Sequence, residues 1–303
     1  MSMAVERLAV YTTVYPGVEP YLADWYQSVR GQTDNDFDLY IGVDSLHPEE
    51  ITAALGGLPH ATLMSNRPTA SSAQIRTAAL GRLVEDYDAI VFVDGDDLLH
   101  PSRVSAARAA LRTHDLAGCA LRLIDEQGRD LGLTFGPACK ADYDSLLPRY
   151  NVFGLSNTAY RSNTLRRCLP IPEECVLIDW LLATRAWASG ATLTFDTEAR
   201  MFYRQYANNT ARVLPPFTVD HVQRAAELVL EHYRLLFATD QLEGLRHQVL
   251  LATAFRRAES FHQAITSEGH KLERYVQALN KLRPKYVWWW CVAHPELEDI
   301  WKN

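Results

Sequence analysis

The 303 residues, 48% of them hydrophobic, suffice for one large α/β domain with an appendage and are too well mixed for a fibre or a disordered tail. A formal charge of −7 argues against a broad nucleic-acid-binding face. Five cysteines, widely spaced and without a C-x-x-C pair, frame neither a disulfide scaffold nor a zinc site, and no run of about 18 apolar residues offers a membrane span.

Residues 7–14 (RLAVYTTV) and 37–43 (FDLYIGV) read as strands, and Leu22, Trp25, Tyr26 and Val29 fall on one helical face between them. The opening is therefore a βαβ unit. Ile75, Ala79 and Leu83 mark a second amphipathic helix leading into residues 89–93 (AIVFV), an uncharged run expected of a strand buried on both faces of a parallel sheet. That run stops on Asp94, Asp96 and Asp97. Carboxylates clustered at such a strand end repel one another unless a hard cation or a donor-rich ligand neutralises them, and this edge is where open α/β sheets bind ligands. Pro101 is expected to begin a third helix, with Val104, Ala107 and Leu111 as its buried stripe. The repetition predicts an α/β fold, Rossmann-like, with a mostly parallel central sheet and helices on both faces.

Beyond Leu116 the pattern changes. Residues 118–124 and 131–135 read as short strands around the hairpin turn 125–128 (DEQG). A helix over 178–188 ends at Gly190, and residues 191–195 and 199–203 predict two further strands. Pro215 and Pro216 mark a break, and residues 219–282 are helical in pattern, with Val222, Ala225, Ala226, Val229 and Tyr233 on one stripe. The chain thus divides into a domain over 1–214 and a helical C-terminal extension over 215–303, whose helices offer a homodimer surface. Three adjacent tryptophans, Trp288, Trp289 and Trp290, are not expected all to face one core. Packing between extension and main domain is the simplest role for them, with a subunit interface or contact with a membrane surface as alternatives.

From residue 8 to residue 212 the chain resembles family 2 glycosyltransferases of the GT-A fold. Residues 28–33 (SVRGQT) resemble the family's S-V-x-x-Q-T pattern after the first helix, residues 74–80 (QIRTAAL) its A-R-N-x-G-L helix start, and Asp94-Gly95-Asp96-Asp97 with Pro101 its D-x-D motif and trailing proline. Residues 203–210 (YRQYANNT) are similar to a Y-R-x-H-x-x-N segment, with Tyr206 standing where many relatives carry histidine. Asp179 matches the second member of an E-D pair whose first member is here Ile178.

The resemblance implies an inverting, metal-dependent transfer of a sugar from a nucleotide-diphosphate donor to a hydroxyl acceptor. Asp179 is the implied general base, since one carboxylate suffices to take the acceptor proton. Asp96 is the implied ligand of Mn2+ or Mg2+, and Thr12, Thr13, Asp44, Arg76, Asp94 and Arg204 the implied nucleotide-sugar contacts. Gly154, Ser156 and Asn157 line the implied sugar and acceptor cleft. Asp44 is suited to the N3–H of uracil or thymine or the N1–H of guanine, so UDP, dTDP and GDP donors stay open. Glycan, lipid-linked and protein hydroxyls stay open as acceptors, with surface polysaccharide or glycoconjugate assembly the implied setting. Residues 1–5 do not read as a signal peptide, and the cysteine usage suits a reducing cytoplasm, so the expected location is cytoplasmic, at most peripheral to the inner face of the membrane. A phosphohydrolase using the same D-x-D is disfavoured because Asp97 and Leu98 follow the acid pair. A catalytically inactive glycan-binding or scaffold module on the same fold is the alternative, suggested by the missing glutamate and histidine.

Overall fold

The computed structural model describes residues 4–57, 59–65, 67, 69–137, 142–206, 209–238 and 245–302. Cys139, Ala207 and Asn208, which entered the sequence reading, lie outside these. Seven successive apolar or hydroxyl residues make β1 (Leu8–Val14), buried along its whole length, and the apolar run makes β4 (Ala89–Phe92), likewise buried throughout. β1 pairs in parallel with both β2 (Asp38–Val43) and β4, and β2 with β3 (Thr62–Ser65). Strand order 3-2-1-4 means the chain leaves β1 in one direction and returns beside it with β4, so the crevice at their carboxyl ends is a topological switch point.

The sheet continues through β8 (Thr158–Arg161), antiparallel to β4, then β6 (Leu116–Ile124), then β9 (Leu193–Arg204), parallel to β6, and ends on the two-residue β5 (Leu98–Leu99). β7 (Asp130–Phe135) folds back on β6 across the expected hairpin turn, where Gly128 takes φ +81°. Helix α1 (Glu19–Arg30) buries Leu22, Trp25 and Val29 against the sheet, as its spacing predicts. Helix α3 (Ser72–Asp86) opens with a capping box in which Ser71 and Gln74 satisfy each other's backbone N–H groups.

Three expectations are corrected. Pro101 does not start a helix: its carbonyl accepts the Thr33 N–H at 2.9 Å, and α4 (Arg103–Ala110) begins two residues later. The two strands expected over 191–203 are one strand, β9, whose register against β6 shifts between Asp196 and Ala199; there Asp196 accepts the Glu198 N–H, and Arg200 pairs with both carboxylates. The three tryptophans are all buried, at 6%, 7% and 1% exposure. Trp289 adopts φ +68°, which breaks the alternation of side chains and lets the three rings diverge. The elements α2 (Pro48–Ala54), β3, α6 (Ser162–Cys168) and β8 are too short to carry a periodic signal.

The C-terminal helix α8 (Val219–Phe237) packs on α7 (Ile178–Ala188), and α9 (Leu245–Ser267) and α10 (Gly269–Leu279) pack on α8 and on each other. Trp180 of α7 stacks on His232 of α8, ring centroids 4.1 Å apart and 10° from coplanar, and gives its indole N–H to the Leu147 carbonyl. The tail then returns to the sheet domain. Trp288 and Asn151 exchange backbone hydrogen bonds as an antiparallel bridge, and the Trp288 ring meets Phe135 at 4.6 Å. Among the described residues no helix is long and apolar enough to cross a membrane.

Candidate functional site

β4 delivers the three carboxylates to the switch-point crevice, and a turn closed by Asp97 N–H to the Asp94 carbonyl sends them in different directions. Gly95 sits in that turn because a side chain there would press on Leu22 and Val18 of the neighbouring helix and its lead-in, at 3.3–3.4 Å. Asp97 points inward and is 1% exposed. Its Oδ1 accepts the Arg204 N–H at 2.8 Å and its Oδ2 the Ser156 hydroxyl, so it joins β9 and the 155–157 turn to the loop after β4. Asp96 accepts the Tyr206 phenol on Oδ2 at 2.6 Å, and the Tyr206 phenol is also hydrogen-bonded to Tyr15. Asp94 remains half-buried and lies within electrostatic reach of Arg76 and Asp179.

Burial pushes all three carboxyls up, Asp94 to about 7; repulsion by Asp96 adds to the rise at Asp94 and Asp97, while Arg76 opposes it at Asp94 and the Tyr206 phenol and Arg204 oppose it at Asp96. A cluster in this state has a deficit of positive charge. Arg76 stands one turn into α3, half-buried, its Nη1 on the Ser72 carbonyl at 3.3 Å, and its charge acts on Asp94, Asp179 and Tyr11.

Asp179 occupies the first turn of α7, where free backbone N–H groups favour a carboxylate. Burial is the larger effect and pushes it up to about 6, held back by the amides of Asp179 and Trp180, by Arg76 and by the Asn151 side chain. Asn151 donates its Nδ2 to Asp179 Oδ2 at 2.9 Å while its Oδ1 accepts the Phe153 N–H at 2.9 Å, which orients the amide. Asp94, Arg76 and Asp179 thus converge from β4, α3 and α7 on one cleft. Asp44 ends β2 at the same sheet edge, half-buried, accepting the Ser45 hydroxyl at 2.9 Å, with Ser45 at φ +57°.

Other expected contacts are placed differently. Thr12 and Thr13 are 1% and 4% exposed; the Thr13 hydroxyl donates to the Tyr11 phenol, and the Thr12 hydroxyl has no partner. Arg204 is 2% exposed, with Nε on the Asp96 carbonyl and Nη1 on the Glu126 carbonyl, both within 2.8 Å, and its guanidinium over the Tyr21 ring. It clamps the acidic loop, and Nη2 alone is left without a partner. Ser156 is occupied by Asp94 N–H and Asp97. Asn157 faces the interior, its Nδ2 on the Cys119 and Val152 carbonyls, because a buried amide must satisfy its donors. Gly154 carries the Trp288 ring so closely that a Cβ would lie 2.8 Å from it. Asn151 and Tyr15 had no motif to announce them, since each acquires its role only from a partner distant in sequence.

No protein-family model matches the chain, and no curated protein matches it in sequence. Its likenesses are to solved structures. S. aureus TarS 1–349 in complex with UDP superposes with a TM-score of 0.59 at 16% identity, over 88% of this chain and 75% of that one. The chain has the GT-A fold. The UDP-GlcNAc complex of the same TarS fragment aligns with this GT-A chain at 17% identity and TM-score 0.58, over 89% of this chain and 78% of that one. The mannosyltransferase PcManGT from Pyrobaculum calidifontis, in complex with GDP-Man and Mn2+, aligns at 13% identity and TM-score 0.53, covering 99% and 88%. Among the described residues of this chain no three His, Cys, Asp or Glu side chains converge on one metal position.

Proposed function

We propose that the protein is an inverting glycosyltransferase of the family 2 type, moving a sugar from a nucleotide-diphosphate donor to an acceptor hydroxyl, in assembly of a surface polysaccharide or glycoconjugate in the cytoplasm. The observation that carries this reading is the convergence of Asp179, Asp94 and Arg76 on the switch-point crevice, with Asp44 along the same edge. Solved structures similar to this chain are complexes with UDP, UDP-GlcNAc or GDP-Man, which supports a nucleotide-sugar donor.

In this reading Asp44 selects the base and Asp94 faces the donor sugar-phosphate. Asp179 takes the proton of the acceptor hydroxyl through the oxygen that Asn151 does not hold, and the oxygen of that hydroxyl attacks the anomeric carbon from the face opposite the diphosphate. Arg76, between the two carboxylates, keeps Asp179 ionised while Asp94 is also charged. The donor set, two carboxylates in the loop after β4, suits a hard cation: Asp96, with a second oxygen from Asp94, would hold Mn2+ or Mg2+. Such an ion supplies the positive charge that the buried cluster lacks and that a departing diphosphate requires.

The test is a panel of UDP-, dTDP- and GDP-sugars with Mn2+, read by release of free nucleotide diphosphate with and without glycan acceptors. Turnover with one donor is expected, and Asp179→Asn should reduce acceptor-dependent release by at least about a thousandfold, at the upper part of what general base catalysis supplies. A protein that releases no nucleotide from any donor would be a binding module instead.

A further inference from the structure

Beside the carboxylate cleft lies a cavity of about 360 Å3, walled by the stretch that follows β9, the first turns of α8 and the returning aromatic tail. Arg212, Arg224 and His221 line it, and among the described residues no carboxylate does. In a chain of net charge −7 this is a local reversal of sign. Arg212 is tethered by its Nε to the Leu214 carbonyl at 3.2 Å, which aims the guanidinium. Arg224 meets Glu227 at 3.7 Å, and both are exposed, so solvent screens that pair. The Nδ1 of His221 is engaged by the Thr218 hydroxyl in the cap of the 19-residue α8, whose free N–H groups add positive potential at the same wall.

Trp289 closes the wall on the side of the tail: it lines the cavity at 7% exposure, with its indole N–H covered and without an acceptor among the described residues. Tyr206 connects this cavity to the acidic cleft, since its ring forms part of the wall and its hydroxyl lies on Asp96.

Resting on the glycosyltransferase reading, we propose that this cavity is the anion subsite of the acceptor. It takes the phosphate or carboxylate of a charged glycan or polyol, whose reacting hydroxyl then extends past Tyr206 into the cleft. The guanidinium groups grip the anion by charge-assisted hydrogen bonds, and the hydrophobic wall of Phe217, Leu214 and Trp289 covers the carbon skeleton.

The experiment titrates inorganic phosphate into the full chain at constant ionic strength, after the donor cleft has been filled with Mn2+ and whichever of UDP, dTDP or GDP raises the melting temperature. Phosphate should raise it further. The double variant Arg212→Gln with Arg224→Gln should bind phosphate at least tenfold more weakly while its nucleotide affinity stays within twofold. The single variant Arg224→Gln, on an exposed helix position, gives the same reading should the double variant fail to fold. Three results overturn the subsite: no phosphate response in the wild type, an unchanged response in the variants, or loss of nucleotide together with phosphate, which would assign the arginines to the donor. Absence of any nucleotide response strikes the glycosyltransferase reading instead, and phosphate titrated into the nucleotide-free chain then still decides the subsite.

Discussion

At the scale of single residues, the consequential pair is Asp179 and Asn151. A base whose carboxyl is pushed up to about 6 acts only when deprotonated, so transfer should rise with pH through about 6 and level off above 7. The Asn151 N–H favours the charged form; Asn151→Ala should therefore move the acid limb of the rate profile upward by about one pH unit, a charge-assisted hydrogen bond being worth ~1.5 kcal/mol. A merely structural asparagine would lower the rate without moving the limb. His232 gives a second pH effect, on stability. Burial against Trp180 lowers its pKa from 6.5 to about 3, and neither ring nitrogen has a partner. The unfolded chain takes up the proton first, so the stability that His232 permits is complete above pH 6.5 and is lost as pH falls toward 3. His232→Phe, which keeps the stack, should raise stability at pH 4 by on the order of 3 kcal/mol and change little at pH 8, as urea unfolding at the two pH values would measure.

At the scale of elements, the tail over residues 286–293 is as much part of the cleft as the strands are. Its bridge to Asn151 holds the residue that holds Asp179, and the Trp288 ring lies on Gly154, Phe135 and Tyr203. Gly154→Ala would set a methyl group 2.8 Å from a buried, rigid indole, and overpacking of this kind costs ~1–3 kcal/mol; a lower melting temperature and a weakened Trp288 contact, visible as altered tryptophan fluorescence, are expected. β9 acts similarly at longer range. Its bulge at 196–199 lets one strand pair first with residues 116–119 of β6, then with residues 120–124, and carry Arg204 and the following Tyr206 to the acidic loop. The single strand was not legible because Asp196, Thr197 and Glu198, polar and in part exposed, read as a break in the alternation.

At the scale of the whole molecule, the extension and the sheet domain share one buried core that runs from β1 to Trp301. Residues 1–214 produced alone would expose Trp180, the Leu147 region and the Asn151 edge, so this fragment should lack the cooperative unfolding transition of the full chain, by circular dichroism against temperature. What the amino-acid order determined by itself is the local part: the parallel opening half, the buried run ending on carboxylates, the amphipathic helices and the caps, because periodicity and turn chemistry act between residues a few positions apart. Asp44, Asp94, Arg76 and Asp179 were implied as site residues by the family resemblance, and each sits at or next to a strand end or a helix start, which a doubly wound sheet brings toward one edge. Only the tertiary structure decided that Asp97 and Asn157 turn inward, that Arg204 clamps a loop, that three consecutive tryptophans are all covered, and that Asn151 orients the base. Each of those depends on a partner far along the chain, and the choice between inward and outward for a polar side chain is made by whichever distant backbone group satisfies its hydrogen bonds.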